Sequence, residues 1–123
     1  ELMIAVAVMA IGLAAAFSGQ IGTHRVIEQS RDTQLALTAI EAVAEAVVAQ
    51  VPNDLPNHPD FGAGQAVPLW TETGVEGMTI VCTYPNWGGG ATVPDPLMVD
   101  IQANWIDGEQ RPRNLVVSTA VTQ

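Results

Sequence analysis

From Leu2 to Phe17 the chain reads Leu-Met-Ile-Ala-Val-Ala-Val-Met-Ala-Ile-Gly-Leu-Ala-Ala-Ala-Phe, with no charged or hydrogen-bonding side chain between Glu1 and Ser18. Leu, Met and Ala are strong helix formers. A helix that is apolar all round has no polar face to turn to water, so it must be buried in lipid or among other helices. At 1.5 Å per residue this run reaches about 24 Å. That is somewhat short of the roughly 30 Å hydrocarbon core of a bilayer. Three ordinary readings follow: a secretory signal peptide, a membrane anchor, and the central helix of a bundle. The first wants a basic segment ahead of the apolar run, whereas this run opens on Glu1.

The rest of the chain is sized for one modest domain, because the apolar run leaves about a hundred of the 123 residues. Thirteen acids face four bases, all Arg, for a net charge of −9. A nucleic-acid surface needs clustered cations to displace counterions. The charge balance therefore makes nucleic acid an unlikely partner and excludes a polybasic grip on anionic lipid. Cys82 is alone, so no intrachain disulfide forms. A single Cys in an apolar strand reads as a small buried hydrophobe.

Ser18, Gly19 and Gly22 interrupt the apolar run. Each glycine weakens a helix by about 1 kcal/mol relative to Ala. Residues 18–23 therefore read as a helix weak point, in the simplest case a helix end and linker. Thr23 to Val51 then reads as one amphipathic helix, with Leu37, Ile40, Ala44, Val47 and Val51 at alternating spacings of three and four on one face. Pro52 stops it. Residues 52–77 carry several Pro and Gly and read as irregular chain, pinned by Leu55, Phe61, Val67, Leu69 and Trp70.

Three strands are expected after that, over 78–84, 97–106 and 114–121. The first is rich in β-branched residues, and the second alternates strictly. A glycine-rich loop around Trp87 joins the first two, and a hairpin turn around Asp107-Gly108 joins the last two. Period-two alternation fits an antiparallel sheet with one dry face. The amphipathic helix supplies the cover. The expected fold is α+β: a long N-terminal helix, apolar then amphipathic, on a small antiparallel sheet of about three to four strands. The expected division is 1–22 as the hydrophobic segment and 23–123 as the globular head (helix 23–51, loop region 52–77, sheet 78–123).

No catalytic constellation stands out, and the chain is not read as an enzyme. His24 and His58 lie in different elements. A zinc site needs several His or Cys ligands, and no such set is present. Asp54, His58 and Asp60, or Asp107-Gly108-Glu109, admit a calcium site built from loop oxygens. Neither has EF-hand spacing, so the expectation is no cofactor and a solvated loop.

Glu1-Leu2-Met3-Ile4 followed by a Val/Ala/Ile run resembles the start of type IV pilins and of the pseudopilins of type II secretion. In that family the segment follows a prepilin peptidase cut, and a short basic leader ending in Gly lies upstream of the glutamate. The apolar helix, weak point and amphipathic helix resemble the long bent N-terminal helix of the pilin fold. Val99, Ile101, Trp105, Asp107-Gly108, Arg113 and Leu115–Thr119 resemble the C-terminal hairpin of minor pilins and small pseudopilins. The chain departs from the family in having no C-terminal disulfide and no Pro near residue 22.

The resemblance implies a structural subunit, major or minor, of a pilus-like or secretion filament. Leu2, Ile4, Val6, Val8, Ile11, Leu13 and Phe17 would pack the filament core, and Ser18, Gly19 and Gly22 would permit local unwinding there. Glu1 would serve subunit assembly by neutralising a neighbour's terminal amine. Implied partners are other pilins, the prepilin peptidase and the assembly machinery. The subunit would wait in the bacterial inner membrane, then enter an extracellular or periplasm-spanning filament. The alternative is a membrane-anchored extracytoplasmic binding domain that never polymerises.

Overall fold

The computed structural model describes residues 1–68, 75 and 77–123. Leu69 and Trp70, expected to pin the connecting loop, lie outside the described residues. The chain forms two compact units, Glu1–Arg31 and Asp32–Gln123. One helix, α1 (Leu2–Val48), belongs to both.

Residues 18–23 are helical throughout, so Ser18, Gly19 and Gly22 do not end the helix as the simplest reading expected. Ser18 Oγ donates to Ala14 O at 2.9 Å, and Thr23 Oγ1 donates to Gly19 O at 3.0 Å. These bonds to the preceding turn satisfy the hydroxyls within the helix. Helix α1 also ends at Val48, three residues before the expected Val51. Pro52 sets that limit. Its ring clashes with the carbonyl four residues back, which is that of Val48, and it drives Val51 out of the helical region. Gln50 N then closes the last turn on Val47 O at 3.1 Å.

The head is an α+β layer. Strands β1 (Thr79–Thr83), β2 (Leu97–Ile106) and β3 (Pro112–Val121) form one antiparallel sheet in the order β1-β2-β3. In β2 the alternation holds along the strand: Leu97, Val99, Ile101, Ala103 and Trp105 are buried, and the residues between them are not. Ala36, Ala39, Ile40, Val43 and Val47 of α1 share a single core cluster with them. The buried face of α1 thus keeps Ile40 and Val47 of the expected stripe, with Ala44 packed against the cluster, and adds Ala36, Ala39 and Val43. Leu37 is 41% exposed and Val51 lies beyond the helix at 59%. Both stripes have the same three-four spacing. The buried one takes Ala36, Ala39 and Val43 where Leu37 and Val51 were expected.

The loop after α1 is moored rather than loose. A short 3₁₀ turn at Leu55–Asn57 buries Leu55, and Phe61 and Val67 are buried as well. Tyr84 Oη donates to Phe61 O at 2.6 Å, with Leu55 O at 3.2 Å. Gly62 is required where it stands, because a Cβ there would meet His58 O at 2.7 Å. Segment 64–67 then runs along β1: Val67 N donates to Ile80 O at 2.8 Å and Gly64 N to Cys82 O at 2.9 Å.

Candidate functional site

The head satisfies itself, and the first half of α1 does not. Every residue of the core cluster lies between Ala36 and Val121. By contrast Leu2, Ile4, Val6, Val8, Ile11, Leu13 and Phe17 are 56–83% exposed, and Met3, Met9 and Ile21 are exposed as well. None of the residues in the most apolar stretch of α1 is buried, and the helix is long and apolar enough to cross a membrane. At about 25 cal/mol per Å² of apolar surface, so continuous an exposed stretch is strongly driven to find cover.

The hydroxyl bonds lengthen this stretch beyond what the letters suggest. Ser18 is polar by name, yet its hydroxyl is bonded to Ala14 O. A hydroxyl bonded within its own helix is tolerated in hydrocarbon. The first side chain with unmet polar demand is therefore Gln20. Leu2–Gly19 spans about 27 Å, nearer the bilayer core than the 24 Å of the strictly apolar run.

Glu1 stands immediately ahead of this helix and is exposed. Its carbonyl accepts from Ala5 N at 3.2 Å, which starts the helical ladder. A carboxylate at this end is favoured by the exposed N–H groups and by the positive end of the helix dipole.

The second polar centre sits at the β2–β3 turn. Asp107 is buried, at 4% exposure. Its Oδ1 accepts from Glu109 N and Arg111 N, both at 2.9 Å. Its Oδ2 accepts from Arg111 Nε at 3.1 Å and Arg113 Nε at 3.0 Å. The backbone N–H of Arg111, then the side chain of Arg113, hold this carboxyl at about 2, below its ordinary 3.8. Arg111 also pairs with Glu109. Asp107 N bonds to Arg111 O at 2.9 Å, which makes a three-residue hairpin loop. The left-handed position of this loop falls on Gln110 (φ 60°).

The sequence offered Asp-Gly as a turn. The role of Asp107 as acceptor for both arginines of the head was missed, and the signal was there in two Arg placed four and six residues after a turn Asp.

The remaining candidates resolve into structure. His58 stacks on Phe61 with ring centroids 5.0 Å apart, and its Nδ1 accepts from Asp60 N at 3.1 Å. Among the described residues no group of three His, Cys, Asp or Glu could hold a metal ion. Trp87 folds back over the glycine-rich loop, and its indole N–H donates to Gly90 O at 3.0 Å. Burial raises the Cys82 thiol to about 11, which suits a core side chain rather than a nucleophile. Burial likewise raises the Tyr84 phenol, and the nearby Cys82 adds to the effect.

No family model, curated protein or solved structure matches the chain.

Proposed function

We propose that the chain is a structural subunit, major or minor, of a type IV pilus-like or type II secretion filament, polymerising through its apolar N-terminal helix. One observation supports this above the others: a head that buries its own core is continuous in sequence with a helix whose apolar surface is uncovered over 18 residues. The resemblance of Glu1-Leu2-Met3-Ile4 and the run after it to the pilin N-terminus gives that helix its partner, further copies of itself. The subunit waits in the inner membrane on this helix and is then drawn into a filament whose core is built of such helices, with the heads outside.

Glu1 is the assembly residue in this reading. A carboxylate at the edge of an apolar helix is costly to bury alone, and a neighbour's terminal amine removes that cost and fixes the axial register. Glu1→Gln leaves the head folded and the helix in the membrane, because neither depends on this charge. It abolishes fibres, since an unpaired amine in apolar surroundings costs several kcal/mol. The test is electron microscopy of fibres beside a count of membrane-bound subunit. Normal fibre yield from the Gln variant removes the role of Glu1. A wild-type protein that never leaves the membrane as a helical assembly favours the anchored binding domain instead.

A further inference from the structure

The two edges of the sheet are treated differently. The outer edge of β1 is closed by the chain's own segment, through Val67 N to Ile80 O, Gly64 N to Cys82 O and the bridge between Ala66 and Val81. The outer edge of β3 carries no such pairing among the described residues. Among the described residues strand β3 pairs only with β2, in unbroken register from Ile106↔Pro112 to Leu97↔Val121. Proteins blunt such an edge with charge, proline or a bulge. Here the register has no bulge, Pro112 and Arg113 mark one end only, and residues 114–123 contain neither a charge nor a proline.

The core under β3 is also left half open. On its inward face Leu115, Val117 and Thr119 are half-buried, whereas Val99, Ile101 and Ala103 on the same face of β2 are fully buried. A strand added beside β3 would gain a full ladder of main-chain hydrogen bonds. It would also lay alternate side chains over this apolar flank, the mode of recognition called strand addition.

Charge selects the occupant. Of the 13 acids only Glu1 and Glu28 lie in residues 1–31, where Arg25 and Arg31 offset them, so the net charge of −9 belongs to residues 32–123. The two arginines of that part both grip Asp107. A second copy would bring an equally acidic head to the edge, and like charge across an interface is selected against.

We propose that the β3 edge binds an extended, β-branched segment of a neutral-to-basic partner protein as a fourth strand. The proposal stands on the sheet edge and the head charge, and it is independent of whether the N-terminal helix polymerises.

The experiment uses the full chain in non-ionic micelles. The probe is a fluorescent peptide of alternating Val and Thr flanked by lysines. Two comparison peptides carry either glutamate flanks or prolines at alternate core positions. The lysine-flanked peptide should bind about tenfold or more tightly than the glutamate-flanked one, and the proline-interrupted peptide should not bind. Amides of β3, and not those of β1, should exchange more slowly in the complex.

Thr119→Lys sets an inward charge at the open edge and should abolish binding. Val116→Lys, at an exposed position, should weaken it with the head intact. Thr79→Lys adds the same charge on β1 and should leave it unchanged. Absence of binding, binding of the proline peptide, or equal loss in the Thr79 variant overturns the proposal. So does a peptide-free sample that dimerises through β3, because the occupant is then a second copy.

Discussion

Val8 lies near the middle of the uncovered stretch and is 64% exposed. Replacing it with Asp separates the two halves of the molecule energetically. At the centre of a membrane helix Asp costs about 2.5–3.5 kcal/mol and Val contributes about −0.3 to −0.6. The substitution therefore shifts insertion by about 3–4 kcal/mol, two to three orders of magnitude in partition at 1.4 kcal/mol per decade. The core cluster begins at Ala36, so the change lies outside it. Two measurements on one preparation are needed: the fraction of chain in floated membranes, and thermal unfolding of the head followed by Trp fluorescence. The expected outcome is loss of the membrane fraction with a melting temperature within a degree or two of the parent. A head that melts much earlier would mean that residues 2–31 are part of its core. An unchanged membrane fraction would mean that the stretch is not what holds the chain to lipid. Either result refutes the assignment of the helix surface to an external partner.

Tyr84→Phe removes the donor to Phe61 O, while Leu55 O keeps its bond from His58 N at 3.1 Å. One buried carbonyl is thereby stranded. A loss of about 1–3 kcal/mol in urea unfolding is expected, and a loss below about 0.5 kcal/mol would show that the loop is not moored there.

Asp107 has its folded-state pKa lowered to about 2 from 3.8. Its contribution to stability is fully present above the higher value and is lost as pH falls through the lower. Melting temperatures at pH 5, 3 and 2 should decline across that window, and Asp107→Asn should flatten the decline. An equal decline in both proteins assigns it to other carboxylates.

Gly19→Ala with Gly22→Ala meets open space at both positions, so the free subunit should gain about 1 kcal/mol of helix stability per site. In the proposed filament, where these residues permit unwinding, the same pair should stiffen or block the fibre. Unaltered fibres would leave the glycines without that role.

How far the sequence could be read depended on whether a signal was local. Strict alternation in β2 named its dry face residue by residue, because a slip of one position would turn five apolar side chains to water. The phase of the amphipathic helix was not fixed in that way. Leu37-Ile40-Ala44-Val47 and Ala36-Ile40-Val43-Val47 are both acceptable stripes. The choice between them is made by tertiary packing, which no window of sequence contains. The same limit hid Tyr84, whose acceptor carbonyl lies 23 residues away, whereas the arginines that grip Asp107 stand only four and six residues after it and were legible locally.

The division of charge follows the division of apolar surface. Residues 1–31 balance their charges and expose their hydrophobes, while residues 32–123 contain the buried core and hold the net −9. In the proposed filament these properties oppose each other. Heads of like sign repel over a Debye length of about 8 Å at physiological salt, so attraction between copies has to come from the helices. Apolar contact is non-directional and leaves sliding along the axis weakly resisted. A charged group at a fixed place on an apolar rod supplies the missing register, because any offset leaves it unpaired in hydrocarbon. Glu1 is the sole charged side chain in residues 1–23, and it stands where that register would be set.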